Sequence, residues 1–363
     1  MPILSNLSKL KLVLQKVLPN LKVTGKKCIK VLPNVAIPII IMSFIKKYFG
    51  VQNGPMGIVL VFICMFKVNQ IKTPESYLKM SIFLIIISVF ASIASLNLMT
   101  SILLNLIIPF LIIYLTTTKG KESNYFVYGY EYIMLQSYPI QIYQIPQRIA
   151  AVVVTLVLGY VFMKIYNRNH KFDKDLVCDG DLIIENFEKI KNKIRKNRNT
   201  NIKEKISIKD KRVRFAIRTA FILWITCIFM DRIPDRNIRS YWLPLITYGC
   251  LEIDYQKQKD KLLAQIGGAT IGIAIFIVIF HWIPTNALLV FMTIAFTILF
   301  SVENDYLKKT IGTILGMSFA LPTFGEVGAI LLRYTYVICA IGIVYIVEHL
   351  RKAVRKVERY LCL

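Results

Sequence analysis

The sequence predicts an all-α polytopic membrane protein of about twelve transmembrane helices, arranged as two parallel six-helix repeats joined by a cytoplasmic helical linker. Three observations predict this fold. Of the 363 residues, 55% are hydrophobic and only 18% are charged, whereas soluble domains carry about 25% charged residues. The hydrophobic residues form long apolar segments, and most Lys and Arg residues lie between these segments. The two halves of the chain repeat the same order of short and long segments.

The basic charge balance indicates a lipid partner. The 46 Lys and Arg residues against 21 acidic residues give a formal net charge of +25. Because no zinc-finger, basic-zipper or RNA-recognition pattern is present, we expect no nucleic-acid partner. The seven cysteines contain no C-x-x-C pair, and the three histidines have no metal-ligand spacing. The sequence therefore predicts reduced cysteines, no metal site and no cofactor.

The first 30 residues carry seven lysines and no acidic residue, and their apolar residues recur at helical spacing. This pattern predicts a basic amphipathic helix on the cytoplasmic side. It would lie on an anionic inner leaflet or pack against another cytoplasmic helix.

Residues 31–166 form the first predicted membrane repeat. The segment 126–144 contains Glu131 and Pro139, so it can cross a membrane only if these residues face the protein interior. Several of the segments are shorter than the roughly 20 residues that a straight helical span needs. The six segments are 33–49, 55–67, 78–96, 98–117, 126–144 and 147–166.

Residues 167–211 are rich in Lys, Asn and Asp and predict a basic cytoplasmic linker with one amphipathic helix. The second predicted membrane repeat covers 212–350, and a basic cytoplasmic tail covers 351–363. With both termini inside, twelve spans place all three basic regions in the cytoplasm, as the positive-inside rule requires of an inner-membrane protein. The six segments of this repeat are 213–231, 238–253, 262–282, 285–302, 308–322 and 327–349.

An internal repeat relates the two halves. In each half a short apolar segment with a proline is followed by a polar loop and a long apolar span. Arg148 and Arg333 then fall at equivalent places, at the start of the last span of each half. Because each unit has an even number of spans, the repeats would be parallel, an arrangement found in transporters.

The motif around the start of the second repeat resembles the fusaric acid resistance and aromatic acid exporter family, most strongly over residues 212–282. Family members often carry an arginine where this chain has Gln265. The resemblance implies a non-enzymatic membrane transporter that exports small organic or aromatic carboxylate anions by using the proton motive force. The residues that carry the resemblance are Trp242, Pro244, Glu252, Asp254, the charged loop 255–261, and the glycines Gly267, Gly268 and Gly272.

Three arginines are candidates for pairing with a substrate anion: Arg148, Arg333 and Arg218. A guanidinium stays charged and can grip a carboxylate with two parallel hydrogen bonds. The alternative is that these arginines anchor helix ends at the membrane interface.

Four acidic residues are candidates for proton coupling, because a carboxyl group in a poorly hydrated site can bind and release a proton near neutral pH. For Asp254 the alternative is an exposed loop residue paired with Lys257 or Lys259. The three glycines of the motif, with Trp242 and Pro244, are predicted to pack helices closely. The four candidates are Glu131, Glu252, Asp254 and Glu326.

Two other functions stay open at this stage. A passive organic-anion channel would need the arginines but no proton-binding carboxyl group. A non-transporting membrane scaffold would use the basic segments to recruit lipid or protein partners. The oligomeric state also stays open, and a homo-oligomer is compatible with the sequence.

Overall fold

A computed structural model describes eight stretches of the chain, and every regular element within them is helical. Of the predicted helix over 1–30, residues 1–24 lie outside the described residues. Residues 25–30 form the first turns of the helix Gly25–Phe49, before the candidate span that begins at Val31. Most of the linker over 167–211 also lies outside them, although residues 183–188 are helical. The described residues are 25–66, 73–117, 125–167, 183–188, 210–232, 242–280, 288–302 and 304–361.

Eleven helices are named here in chain order, apart from the short stretch 183–188. Single-turn 3₁₀ helices at Val51–Asn53 and Ile142–Gln144 precede α2 and α6, respectively. The helices are α1 (Gly25–Phe49), α2 (Pro55–Phe66), α3 (Pro74–Ala94), α4 (Leu98–Thr116), α5 (Tyr125–Gln136), α6 (Ile145–Asn167), α7 (Lys211–Asp231), α8 (Trp242–Cys250), α9 (Tyr255–Phe280), α10 (Leu288–Ser301) and α11 (Asp305–Leu361).

Seven helices in the described part of the chain are long and apolar enough to cross a membrane. The protein is therefore an all-α membrane protein with several spans, as predicted, but twelve crossings are not shown. The predicted segments 55–67, 126–144, 238–253 and 285–302 contain helices of only 9 to 14 residues. The seven candidate spans are Val31–Phe49, Pro74–Ala94, Leu98–Thr116, Ile142–Phe162, Lys211–Asp231, Gln256–Phe280 and Phe324–His349.

Local sequence signals explain where several helices begin. Thr73 accepts a hydrogen bond from the backbone N–H of Ser76 at 3.1 Å, and Pro74 occupies the first helical position of α3. Asn97 caps α4 in the same way, through the N–H of Thr100 at 2.9 Å. Short polar side chains therefore satisfy backbone donors that the first turn of a helix leaves without partners.

Contacts divide the chain into two compact units. The first unit contains residues 255–339 together with the chain up to Ile37, and the second contains Pro38–Asp254 and the residues from Ala340 onwards. These units cut across the predicted halves, because α9, α10 and the first part of α11 belong to one unit and α7 and α8 to the other.

In the second unit, the short helix α5 lies among α2, α3, α4 and α8. It packs closely because Gly129 faces Tyr248 of α8: a Cβ atom at position 129 would lie closer than 3.0 Å to the tyrosine hydroxyl. Helix α4 also packs along α7, where the indole N–H of Trp224 donates to the carbonyl of Ile102 at 2.9 Å. The sequence segment with Glu131 is thus held in the interior of this unit.

In the first unit, α9 lies closely against the beginning of α11. A Cβ atom at Gly268 would lie 2.6 Å from the Cβ of Lys309, and one at Gly272 would lie 2.7 Å from the carbonyl oxygen of Thr310. Helix α11 is interrupted at Gly325, whose φ of 66° and ψ of −179° are not helical. Since this conformation is essentially restricted to glycine, Gly325 allows the chain to change direction between two helical segments.

Candidate functional site

Glu131 is the most deeply buried acidic residue among the four sequence candidates, with a relative exposure of 1%. It lies in the middle of α5, which α2, α3, α4 and α8 enclose. The hydroxyl of Ser88, on α3, donates a hydrogen bond of 2.7 Å to Glu131 Oε1. Glu131 Oε2 is buried, and no hydrogen-bond partner for it is found among the described residues. The arrangement gives the carboxyl group one hydrogen-bond donor and one oxygen available for a proton.

Polar side chains continue from Glu131 along the inner face of α3. Ser88 and Ser92 are both fully buried. The Ser92 hydroxyl donates to the carbonyl oxygen of Ser88 at 2.7 Å, and Ser88 also lies 2.9 Å from the carbonyl oxygen of Leu84. Serine hydroxyls can be accommodated in an apolar helix because the backbone carbonyl one turn earlier accepts their hydrogen.

A second group of buried polar side chains joins α4 to α7. The side-chain amide of Asn105 donates to the hydroxyl of Ser101 at 2.8 Å, and that hydroxyl donates to the carboxylate of Asp231. Asn105 has no exposed surface. The interior of this unit is therefore polar at several points. Because burying polar groups in a membrane protein costs free energy, these groups are candidates for a functional role.

Aromatic rings cover the side of α5 that faces α2 and α8. Phe126 stacks on Tyr248 with ring centroids 5.8 Å apart and an interplanar angle of 13°. Phe62 of α2 contacts Tyr130 at 4.5 Å between centroids. Tyr125 packs edge-on against both Tyr248 and Phe215. These rings surround α5 with large, weakly polar surfaces.

Arg148 is fully buried, and the protein itself supplies its partners. Its Nε–H donates to the side-chain oxygen of Asn53 at 3.1 Å. Its two terminal nitrogens donate to the carbonyl oxygens of Leu135, Gln52 and Tyr138. Gly50, with a φ of 89°, begins the turn that presents Gln52 and Asn53. These four hydrogen bonds favour a role for Arg148 in holding the ends of α5 and α6 and the turn before α2.

Arg218 has a buried carboxylate partner that the sequence analysis did not identify. Its guanidinium forms an ion pair with Glu348 near the end of the span Phe324–His349, and it also donates to the backbone carbonyl of Glu252. The guanidinium carbon lies 5.2 Å from the centre of the Phe215 ring. Arg218 therefore joins α7 to the non-helical stretch after α8 and to α11.

Arg333 lies in the interior of the span Phe324–His349 and is 9% exposed. One of its terminal nitrogens lies 3.4 Å from the hydroxyl oxygen of Thr313. Both residues belong to the first unit. A cationic side chain within a membrane-spanning segment is expensive to insert, so it marks a functional position by default.

The other sequence candidates lie in more accessible places. Glu252 and Glu326 are half-buried, and Asp254 is exposed. Trp242 begins α8, and Pro244 is buried in its first turn. A Cβ atom at Gly267 would approach the Tyr306 ring at 3.1 Å. The structure thus brings Arg218 to the backbone of Glu252, but the carboxylate that pairs with Arg218 belongs to Glu348.

Sequence reasoning missed two residues that contact the candidates. Glu348 is one of them, because it lies at the polar end of a predicted span, directly before a basic tail, where nothing in the sequence marks it. Ser88 belongs to a run of serines, Ser81, Ser88 and Ser92, whose spacing of seven and four residues puts them on one face of α3. Within the described residues, no group of three or more His, Cys, Asp or Glu side chains is arranged to hold a metal ion.

Comparison with known proteins gives a family match, which runs from within α7 to within α11. Residues 220–347 match the family described as fusaric acid resistance protein-like. The match includes α8, α9, Arg333 and the motif from Trp242 to Gly272. No curated protein and no solved structure matches the chain.

Proposed function

Because residues 220–347 are fusaric acid resistance protein-like and the chain has several membrane spans, we propose that the protein is a transporter that exports small organic anions. Aromatic and other hydrophobic carboxylates are the proposed substrates, and the proton motive force drives their export. The single observation that carries this proposal is Arg333, a buried guanidinium inside a membrane span of the matched region.

Arg333 suits a transported carboxylate for physical reasons. An arginine in a membrane helix is costly to insert, up to about 2.5–3.5 kcal/mol at the helix centre on insertion scales. A guanidinium offers a carboxylate two parallel N–H donors, which an ammonium group cannot do. The neighbouring Thr313 hydroxyl, 3.4 Å from Arg333, can donate a further hydrogen bond to an anion bound there. We therefore assign the anion-pairing role first to Arg333.

Glu131 is the proposed proton-binding group. It is buried, it has one donor from Ser88, and none of the described ion pairs includes it. A carboxyl group in such surroundings can take up a proton without leaving an unpaired positive charge behind. Loss of this group should uncouple export from the proton gradient while leaving the fold intact.

The finer topology is part of the same proposal. The order of helices supports two six-helix repeats: α1 to α6 form the first, and α7 to α10 with the two segments of α11 form the second. The short helices α2 and α8 occupy equivalent places, and each is followed by a long span. In this arrangement both termini and the linker lie in the cytoplasm of the cell, against an anionic inner leaflet.

The test is efflux of radiolabelled 4-hydroxybenzoate from cells with and without the protein, with an uncoupler added halfway. We expect faster efflux that stops on uncoupling. Arg333→Gln should abolish this efflux, Glu131→Gln should leave efflux that no longer responds to the uncoupler, and the control Arg232→Gln, at an exposed position, should behave as wild type.

Other outcomes of this experiment would contradict the proposal. Efflux that ignores the uncoupler in the wild-type protein would indicate a passive anion channel. No difference between cells with and without the protein, across a panel of carboxylates, would remove the transport assignment and favour a membrane scaffold.

A further inference from the structure

The ion pair between Arg218 and Glu348 is buried inside the protein. Their side chains are 6% and 4% exposed, respectively. One terminal nitrogen of Arg218 faces the Glu348 carboxylate, and the other faces the carbonyl oxygen of Glu252. All three residues belong to the second unit, and they come from α7, from the stretch after α8, and from α11.

A buried ion pair of this kind is poorly explained by stability alone. Removing two charges from water costs several kcal/mol per ion, and apolar side chains of similar size often stabilise a protein equally well or better. A buried guanidinium with a carboxylate partner is, however, a ready-made carboxylate-binding site. The Glu348 side chain shows that the space beside Arg218 accepts a carboxylate in hydrogen-bonding geometry.

Two contacts of Arg218 do not involve the Glu348 side chain. The Phe215 ring lies over the guanidinium at 5.2 Å, and the Glu252 carbonyl accepts a hydrogen bond from it. Beyond Phe215, the apolar wall continues with the Tyr125 ring, whose centroid lies 5.3 Å from that of Phe215, and then with the Tyr248 ring, 5.7 Å from that of Tyr125. The guanidinium therefore lies beside a surface that suits an apolar or aromatic acid.

We infer that Arg218 is a second carboxylate-binding site, which the protein's own Glu348 occupies until a transported carboxylate displaces it. This inference rests on the proposed transport function. It adds that the Glu348 carboxylate competes with the transported carboxylate for Arg218. The exchange conserves charge at Arg218, because one carboxylate arrives as another leaves. It also has a mechanical consequence, since displacement of Glu348 breaks the ion pair that links α7 to α11.

Benzoate binding to the purified full-length protein tests this inference. The measured quantity is the rise in thermal unfolding temperature with benzoate concentration, which gives a half-saturating concentration. In Glu348→Gln the near-isosteric amide no longer competes as an anion, so we expect the half-saturating concentration to fall about tenfold. Glu75→Gln, at an exposed acidic residue, changes the net charge equally and should match the wild type.

Two further variants keep the test decisive if the glutamine variant does not fold. Glu348→Asp keeps the charge but is one methylene shorter, so it should compete less well and give an intermediate half-saturating concentration. Arg218→Lys keeps the charge but not the paired donors, and it should require far more benzoate than the wild type.

The outcomes separate this inference from the proposed function. Unchanged half-saturating concentrations in both Glu348 variants, or wild-type benzoate binding in Arg218→Lys, would overturn the inference even if the wild-type protein exports 4-hydroxybenzoate. A wild-type protein that neither exports a carboxylate nor binds benzoate would overturn the proposed function and, with it, this inference.

Discussion

The Tyr248 hydroxyl donates to the backbone carbonyl of Tyr125 at 2.7 Å, and the Tyr125 hydroxyl in turn donates to the carbonyl of Leu251, just after α8, at 3.0 Å. The two tyrosines thus tie α5 to the end of α8. Both side chains reach across the helix contact that Gly129 makes possible. The position of α5, and of the Glu131 carboxyl group on it, therefore depends on these two tyrosines.

Gly129→Ala should disturb this contact. The added methyl group would lie closer than 3.0 Å to the ring and hydroxyl of Tyr248, which is fully buried and cannot move aside freely. We expect a loss of about 1–3 kcal/mol in the free energy of unfolding, measured as a lower thermal unfolding temperature of the purified protein. Gly312→Ala is the control, because a Cβ atom there meets nothing within 4 Å. Equal stability of the two variants would contradict the close contact.

Gly325→Ala should destabilise the interruption in α11. Its φ of 66° with ψ of −179° costs a residue with a side chain about 1–3 kcal/mol. Gly342→Ala in the same helix adds its methyl group to open space and should be neutral or slightly stabilising. Thermal unfolding of the two variants measures the difference. If Gly325→Ala is as stable as Gly342→Ala, the chain does not need the glycine conformation at this point.

Arg148→Gln should reduce stability rather than act only on transport. The variant loses hydrogen bonds to one side chain and three backbone carbonyls, and buried acceptors without donors are costly. We expect a loss of at least about 3 kcal/mol, visible as a lower unfolding temperature and less protein in the membrane. The exposed Arg232→Gln serves as the charge-matched control. A stable Arg148→Gln protein that has lost benzoate binding would instead assign Arg148 to the anion.

Gly268→Ala and Gly267→Ala form a matched pair on α9. The methyl group at position 268 would meet the backbone nitrogen of Thr310 at 2.9 Å, whereas the one at position 267 would meet only the Tyr306 ring at 3.1 Å. A backbone atom cannot give way as a side chain can, so Gly268→Ala should be less stable by about 1–3 kcal/mol. Chemical or thermal unfolding of the two purified variants gives the order. The reverse order would show that α9 and α11 do not approach at Gly268.

Much of the helical layout could be predicted from the sequence, because long apolar runs must form helices in a membrane. The spans at 78–96, 98–117 and 213–231 match α3, α4 and α7 within a few residues. The end of the helix in the segment 126–144 could not be predicted. This helix ends at Gln136, and the carbonyl oxygens of Leu135 and Tyr138 accept hydrogen bonds from Arg148. A hydropathy pattern cannot reveal that a distant arginine satisfies the end of a helix.

The candidate site was predicted only in part for a similar reason. Glu131 stands out in the sequence because it interrupts an apolar, aromatic segment. Glu348 does not stand out in the sequence, because it lies just before a basic tail and resembles any polar residue at the end of a span. Its partner Arg218 lies 130 residues away in the chain. Only the folded chain brings the two charges together.

The Ser88 hydroxyl carries a single hydrogen but lies within reach of two acceptors, the Glu131 carboxylate and the Leu84 carbonyl. The hydroxyl can therefore rotate to donate to either acceptor. While Glu131 is ionised, the hydroxyl hydrogen points to the carboxylate. When Glu131 holds a proton, the same hydrogen can turn back to the backbone, and the serine oxygen can accept from the carboxyl group. Either state leaves the Ser88 hydrogen with an acceptor, so a rotation of one side chain accommodates the change of charge.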